Sequence, residues 1–202
     1  GNPEEESFKR TLSMVQAEAL HLENLIKDLL YFSNVILQDD EIKLEPIELG
    51  KVARQVAAGL EITAANKGID YQILLQPPLP PTPLSLDRER ISFAIRALLD
   101  NAIKFTPSGG TVTLDGNIKD NLVKVQISDT GCGIPAEETP KVFNKFYQVD
   151  QDNTGQIRGF GLGLFYAREF VRNMGGKLRL DSSPSLGTVA TIEFPLPEQS
   201  EE

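Results

Sequence analysis

Three short stretches carry side chains whose types and spacing can do chemistry. Asn101 and Lys104 lie in Leu98-Leu99-Asp100-Asn101-Ala102-Ile103-Lys104-Phe105-Thr106-Pro107. An amide oxygen is a hard, neutral donor of the kind Mg2+ accepts beside phosphate oxygens and water. Lys104 follows three residues later, which on a helix puts its ammonium on the same face. Asp129 opens Asp129-Thr130-Gly131-Cys132-Gly133-Ile134-Pro135. At the end of a strand its carboxylate can accept a hydrogen bond from an exocyclic amine such as that of adenine, and it repels the carbonyl that guanine carries there. Gly131 and Gly133 let the backbone pass close to a flat base. The third stretch is Gly159-Phe160-Gly161-Leu162-Gly163-Leu164, at the start of a predicted helix whose free N–H groups and dipole attract phosphate. Leu164 breaks the dinucleotide pattern, and no Gly-Lys-Ser/Thr follows, so neither a Rossmann fingerprint nor a P-loop is present. Standing alone, Asn101 and Lys104 read equally well as exposed residues of an amphipathic helix, and Asp129 as a strand-ending residue in a glycine turn.

In this order, with Phe143 and Phe146 between the last two, the stretches resemble the N, G1, F and G2 boxes of the ATP-binding domain of sensor histidine kinases, members of the GHKL ATPase/kinase superfamily. The resemblance spans residues 45 to 197 and implies ATP and Mg2+ as cofactors. It also implies transfer of the γ-phosphoryl group to a histidine and then to an aspartate of a response regulator. It gives the metal to Asn101, adenine to Asp129 with Gly131 and Gly133, and phosphates to Lys104, Gly159, Gly161, Leu162 and Gly163. Gly187 and Thr188 match a further glycine box, which a plain hairpin turn explains almost as well. Residues 147 to 158 form a long polar loop of the kind that serves as a lid, with Phe143 and Phe146 expected to anchor its near end. Lys145 and Arg158 flank that loop, and either can offset charge on a transferring phosphoryl group. Two positions depart from the family: Ala97 stands where an Asn is common, and Gln148 where an Arg is.

These residues need elements to hold them. Residues 5 to 36 read as one helix in which Phe8, Leu12, Val15, Ala19, Leu22, Ile26 and Leu29 keep an unbroken a/d heptad; Leu25, Leu30 and Phe32 widen the stripe toward a helical bundle. Such a stripe calls for another helix, from a second copy or a neighbour, or else for the chain's own domain. A short strand at 43–49 follows, placed at an edge by Pro46. Then come a helix over 49–66 ended by Gly68, a strand over 69–75 and a stiff proline-rich connector over 76–83. Asp87 caps a helix over 88–105. A hairpin follows, 111–117 with 122–128, in which Val123, Val125 and Ile127 face one side. The last elements are a helix over 162–174 and strands at 177–181 and 188–194. The predicted class is α+β: an α/β sandwich, a mixed sheet with helices on one face in the histidine-kinase-type ATP-binding arrangement, preceded by one long helix.

The division that follows is 1–36, the second helix of a dimerisation and phosphoacceptor bundle; 37–44, a linker; 45–197, the catalytic domain; and 198–202, a disordered tail. The only histidine, His21, sits in His21-Leu22-Glu23-Asn24-Leu25-Ile26, without the Arg-Thr-Pro that follows the family's acceptor, and reads as a packing or surface residue. The acceptor helix is therefore expected outside this chain, whose abrupt start suggests an excised piece of a larger protein, and the fragment is expected not to phosphorylate itself. The partners implied are ATP, a response regulator and a second copy through the first helix.

A net charge of −9 argues against nucleic acid, because a phosphate backbone needs basic patches. One cysteine excludes an internal disulfide framework and fits a reducing, cytoplasmic setting. No membrane contact is expected of this stretch, which leaves open an anchor elsewhere in the parent. Cys132 itself reads as a tolerated small residue rather than a redox switch. Three other readings compete. Asp-Thr-Gly also serves aspartic proteases, which pair two carboxylates, but a single triplet would need a dimer, and the other two stretches would go unexplained. Another ATPase of the superfamily would carry further domains in place of the heptad helix. A non-catalytic binding module is left open by Ala97 and Gln148.

Overall fold

The structure, a computed structural model, describes residues 7–8, 11–12, 14–16, 19, 22, 26, 41–75, 83–149 and 160–197. The chain divides into two units, Gly1–Glu41 and Ile42–Glu202. In the first, the described residues before Glu41 are helical, and Phe8, Leu12, Val15, Leu22 and Ile26 are all exposed. Thr11 donates its hydroxyl to the carbonyl of Ser7, one turn back. His21, the rest of the predicted heptad other than Ala19, most of the proline-rich connector and the tail lie outside the described residues. Among the described residues no helix is long and apolar enough to cross a membrane.

The second unit is built on a five-stranded sheet of β2 (Asp70–Ile73), β4 (Thr111–Lys119), β5 (Leu122–Asp129), β7 (Gly187–Pro195) and β6 (Lys177–Ser183), in that spatial order. β2 runs parallel to β4, and the other pairs are antiparallel, so the sheet is mixed. Strict alternation decides which face is buried. Val112 and Leu114, Val123, Val125 and Ile127, Leu178, and Ala190, Ile192 and Phe194 are buried under the helices. The opposite face carries Lys124, Gln126 and Ser128 on β5 and Thr191 and Glu193 on β7, joined across strands by Lys124–Glu193 and Gln126–Thr191 contacts. The β4–β5 turn is Asp120-Asn121, both at positive φ (54° and 59°), the backbone of a two-residue primed turn that matches strand twist.

Among the described residues four helices cover the sheet: α1 (Leu49–Ala58), α2 (Glu61–Asn66), α3 (Arg88–Phe105) and α4 (Gly163–Asn173). α3 is central. The Asp87 carboxylate accepts from the N–H of Arg90 at 3.0 Å, which caps the helix, and the same carboxylate takes the N–H of Lys43 at 3.0 Å. Ile91, Ala94, Ile95, Leu98, Leu99 and Ala102 line its buried face. Leu99 is fully buried, so Leu99→Ala should destabilise this unit by about 2–5 kcal/mol, read from the midpoint of a urea melt at unchanged slope.

The structure corrects the sequence reading in two elements. The helix expected over 49–66 is two helices, broken where Gly59 and Leu60 form tight turns onto Val56 and Ala57. Glycine is a poor helix former, and the break lets both Leu60 and Ala64 reach the core. A three-residue strand, β3 (Leu84–Leu86), also went unread beside the prolines. It pairs antiparallel with β1 (Glu45–Ile47) in a separate two-stranded ribbon. Nothing local marks so short a strand, because its partner lies about forty residues away.

Candidate functional site

α3 and α4 bring two of the three stretches together. Ala97, Asn101 and Lys104 are spaced four and three apart, so they share one face of α3, and all three are half-buried. A side chain placed on Gly163 would meet Ala97 Cβ at 3.6 Å. Ala97 on this face therefore abuts the first turn of α4, one helical turn from Asn101, while the Lys104 ammonium lies over the ring of Phe105 at 5.0 Å. The first turn of α4 presents the unpaired N–H groups every helix start leaves, with the positive end of the dipole behind them. Gly161, at φ +65°, brings the chain close to the backbone of Phe146 and Tyr147, and Leu162 stands at the N-cap. Ala97 is the α3 residue that meets the start of α4.

Asp129 ends β5 and is held by backbone donors. Gly131 N–H reaches Oδ1 at 2.8 Å and Thr188 N–H reaches the same oxygen at 3.2 Å. With both donors on Oδ1, Oδ2 keeps its capacity to accept. Burial pushes the carboxyl above the usual carboxylate range, and the two N–H bonds partly offset that rise. Glycine walls the group. A Cβ on Gly133 would come 1.9 Å from the carbonyl oxygen of Ser183, and one on Gly187 would come 1.9 Å from that of Asp129. Gly131 faces the carbonyl of Phe105 at the end of α3, which links the second stretch to the first. Burial, and then the charge of Asp129, push the Cys132 thiol up, away from the reactive thiolate.

The near end of the long loop departs from expectation in one respect. Phe143 is buried, and its ring lies under the Arg168 guanidinium at 4.6 Å. The side chain of Phe146 is exposed (69%) because its φ of +63° turns it outward. The anchor at that position is the backbone, Phe146 N–H to the carbonyl of Gly161 at 2.9 Å. Tyr147 adds a hydroxyl bond to the carboxylate of Glu138. Lys145 lies over the rings of Phe165 and Tyr166 at 4.7 and 5.6 Å, so its ammonium sits beside the first turns of α4. Gln148 is exposed. Arg158 and Gly159 lie outside the described residues.

Sequence reasoning missed Ser182. Its hydroxyl accepts from Ile134 N–H at 2.8 Å, lies 2.8 Å from the Thr188 hydroxyl and 3.0 Å from the carbonyl of Gly187. It ties the Asp129 turn to the β6–β7 turn, and no local pattern marks a serine for that work.

The sheet with helices on one face is an α/β sandwich, and the Asp129 corner and the α4 start both meet α3, at Phe105 and at Ala97. Residues 86–198 match the family described as histidine kinase-, DNA gyrase B- and HSP90-like ATPases, and the chain belongs to that family. It is similar to the sensor histidine kinase WalK of Bacillus subtilis, with 31% identity over 195 residues, covering 96% of this chain and 31% of WalK. It is also similar to the sensor histidine kinase RcsC of Escherichia coli K12, with 31% identity over 174 residues, 85% of this chain and 18% of RcsC. Full-length ShkA, solved in complex with AMPPNP, matches with a TM-score of 0.69 at 28% identity over 96% of this chain and 39% of that one. The catalytic domain of the histidine kinase ThkA matches with a TM-score of 0.64 at 25% identity, over 76% of this chain and 99% of that domain. The chain thus carries the ATP-binding catalytic module of the histidine-kinase type and spans about a third or less of these curated relatives' length.

Proposed function

We propose that this chain binds Mg·ATP and donates its γ-phosphoryl group to a histidine other than His21, for relay to a response-regulator aspartate. The observation that carries this reading is the packing of the helix start at Gly163 against Ala97, one turn from Asn101, with the Asp129 corner beside the C-terminal end of the same helix at Phe105. In it, Asp129 Oδ2 accepts from the exocyclic amine of adenine. The backbone at Gly131 and Gly133 flanks the base, and Thr188 fixes the carboxylate. Phosphates lie against the N–H groups at Gly161, Leu162 and Gly163 and the Lys104 ammonium. Lys145 and Arg158 offer the charge that accompanies transfer, and Phe146 stands at the root of the lid.

The donor set fits Mg2+ that arrives with the nucleotide. Among the described residues no cluster of His, Cys, Asp or Glu could hold a metal by itself. A single amide oxygen, Asn101 Oδ1, suits an ion that keeps its waters and takes its other ligands from phosphate. Held there, the ion would neutralise charge on the phosphates as the bridging P–O bond breaks and an N–P bond forms on the acceptor imidazole. The exposed apolar residues of the first helix, Phe8 through Ile26, support pairing with a second copy, and residues 1–36, 37–44 and 45–197 are proposed as bundle helix, linker and catalytic domain.

The test uses γ-labelled ATP. The chain alone should bind nucleotide and acquire no label, whereas addition of an acceptor-bearing bundle from the parent protein should put acid-labile label on that bundle. Label on His21 contradicts this reading.

A further inference from the structure

The end of α3 has a carbonyl that the backbone following it cannot satisfy. The carbonyl of Ala102 is satisfied by the N–H (3.1 Å) and hydroxyl (2.6 Å) of Thr106. The carbonyl of Ile103 would next turn to residue 107, which is proline and has no N–H. Thr106, as the residue before proline, is extended (ψ 127°), so the chain leaves the helix axis. Into this gap comes Lys67 from the end of α2. Its ammonium donates to the carbonyls of Ile103 at 2.7 Å and Lys104 at 2.5 Å. The position is held from both sides: Lys67 N–H bonds back to Thr63 and Ala64, and Gly109 N–H bonds to the carbonyl of Gly68 at 2.8 Å. A positive charge there also meets the negative end of the helix dipole. Half-burial draws the ammonium below the usual lysine range, in keeping with a group that has exchanged water for carbonyls.

Asn101 and Lys104 stand on this last turn. We propose that Lys67 is a positioning residue: it caps α3 from a separate helix and holds the turn that presents Asn101 and Lys104 to the metal and phosphates. This rests on the reading of Asn101 and Lys104 given above. Lys67 bonds the carbonyls of the turn that carries Asn101 and Lys104 and makes no bond to the Asp129 carboxylate, so its loss should act more on phosphate and metal than on the base.

The experiment compares Lys67→Met, Lys67→Arg and Asn101→Ala by calorimetric titration with adenosine and with a non-hydrolysable ATP analogue plus Mg2+. Lys67→Met should weaken Mg·ATP-analogue binding by about tenfold, the loss of charged hydrogen bonds to two carbonyls, with a clearly smaller loss for adenosine. Lys67→Arg, which keeps donors and charge, should restore most of it. Amide exchange at Phe105 and Thr106 should quicken in the Met variant, with exchange in β5 and β7 unaltered. Lys67→Gln, milder, gives the same ordering if the Met variant does not fold. Equal loss for adenosine and Mg·ATP analogue, wild-type affinity for both, or no rescue by arginine overturns the inference. If Asn101→Ala keeps full Mg·ATP-analogue affinity, the site reading itself has failed, and quickened exchange in the Met variant would then leave Lys67 as a cap alone.

Discussion

Asp129→Asn is expected to lower affinity for adenine nucleotides by about 10- to 100-fold, the cost of opposing a buried donor with a donor. The asparagine carbonyl can still take the N–H groups of Gly131 and Thr188, so its amide nitrogen replaces the free Oδ2. The same substitution should stabilise the unliganded chain at neutral pH. Burial raises the folded-state pKa of Asp129 above its unfolded value. Its stability contribution is thus fully present below the unfolded carboxylate pKa and is lost as pH rises through the folded one. The stability gain of the neutral variant should therefore vanish toward acid pH, where Asp129 is protonated in both states, and grow as pH rises through the folded pKa. Urea melts at a series of pH values and nucleotide titrations check the two halves. A variant less stable than wild type at neutral pH, with unchanged affinity, would show that Asp129 serves the turn and not the base.

Gly133→Ala is expected to cost about 3 kcal/mol or more. Its φ of +69° strains any L side chain, and the new methyl would sit 1.9 Å from the Ser183 carbonyl oxygen. Backbone on both sides has no rotamer with which to yield, so the Asp129 turn must move off β6. Nucleotide binding should be lost along with the stability. Gly109→Ala is the control: φ is also positive (+83°), but nothing lies within 4 Å of the added methyl, and the loss should stay near 1 kcal/mol with binding kept. Thermal melts of the two variants side by side decide it, and equal losses would place the whole effect in φ rather than in the close approach.

Much of the fold was legible because its signals are local. The helix from Arg88 to Phe105 announced itself through the Asp87 cap and a buried stripe, and β5 through Val123, Val125 and Ile127 alternating with polar residues. The ribbon strand Leu84–Leu86 and the break at Gly59 did not, because a long-range partner decides the first and core access the second. At the site, the residue types in the three stretches were readable, and so was the spacing that sets Asn101 and Lys104 on one face. The exposed ring of Phe146 was not, since a positive φ leaves no mark in a non-glycine residue. Ser182 and Lys67 act across the fold, on turns and carbonyls far away in sequence. Pro107 was the one clue to Lys67: it shows that α3 ends with a carbonyl that residue 107 has no N–H to satisfy.

The proposed site selects adenine, and Mg2+ completes its phosphate end. A calorimetric titration of the chain with a non-hydrolysable ATP analogue, with and without Mg2+ and repeated with a GTP analogue, tests it most directly. Binding of the ATP analogue, strengthened by Mg2+ and absent for the GTP analogue, is the predicted result. Equal affinity for the two purines, or no binding of either, would contradict it.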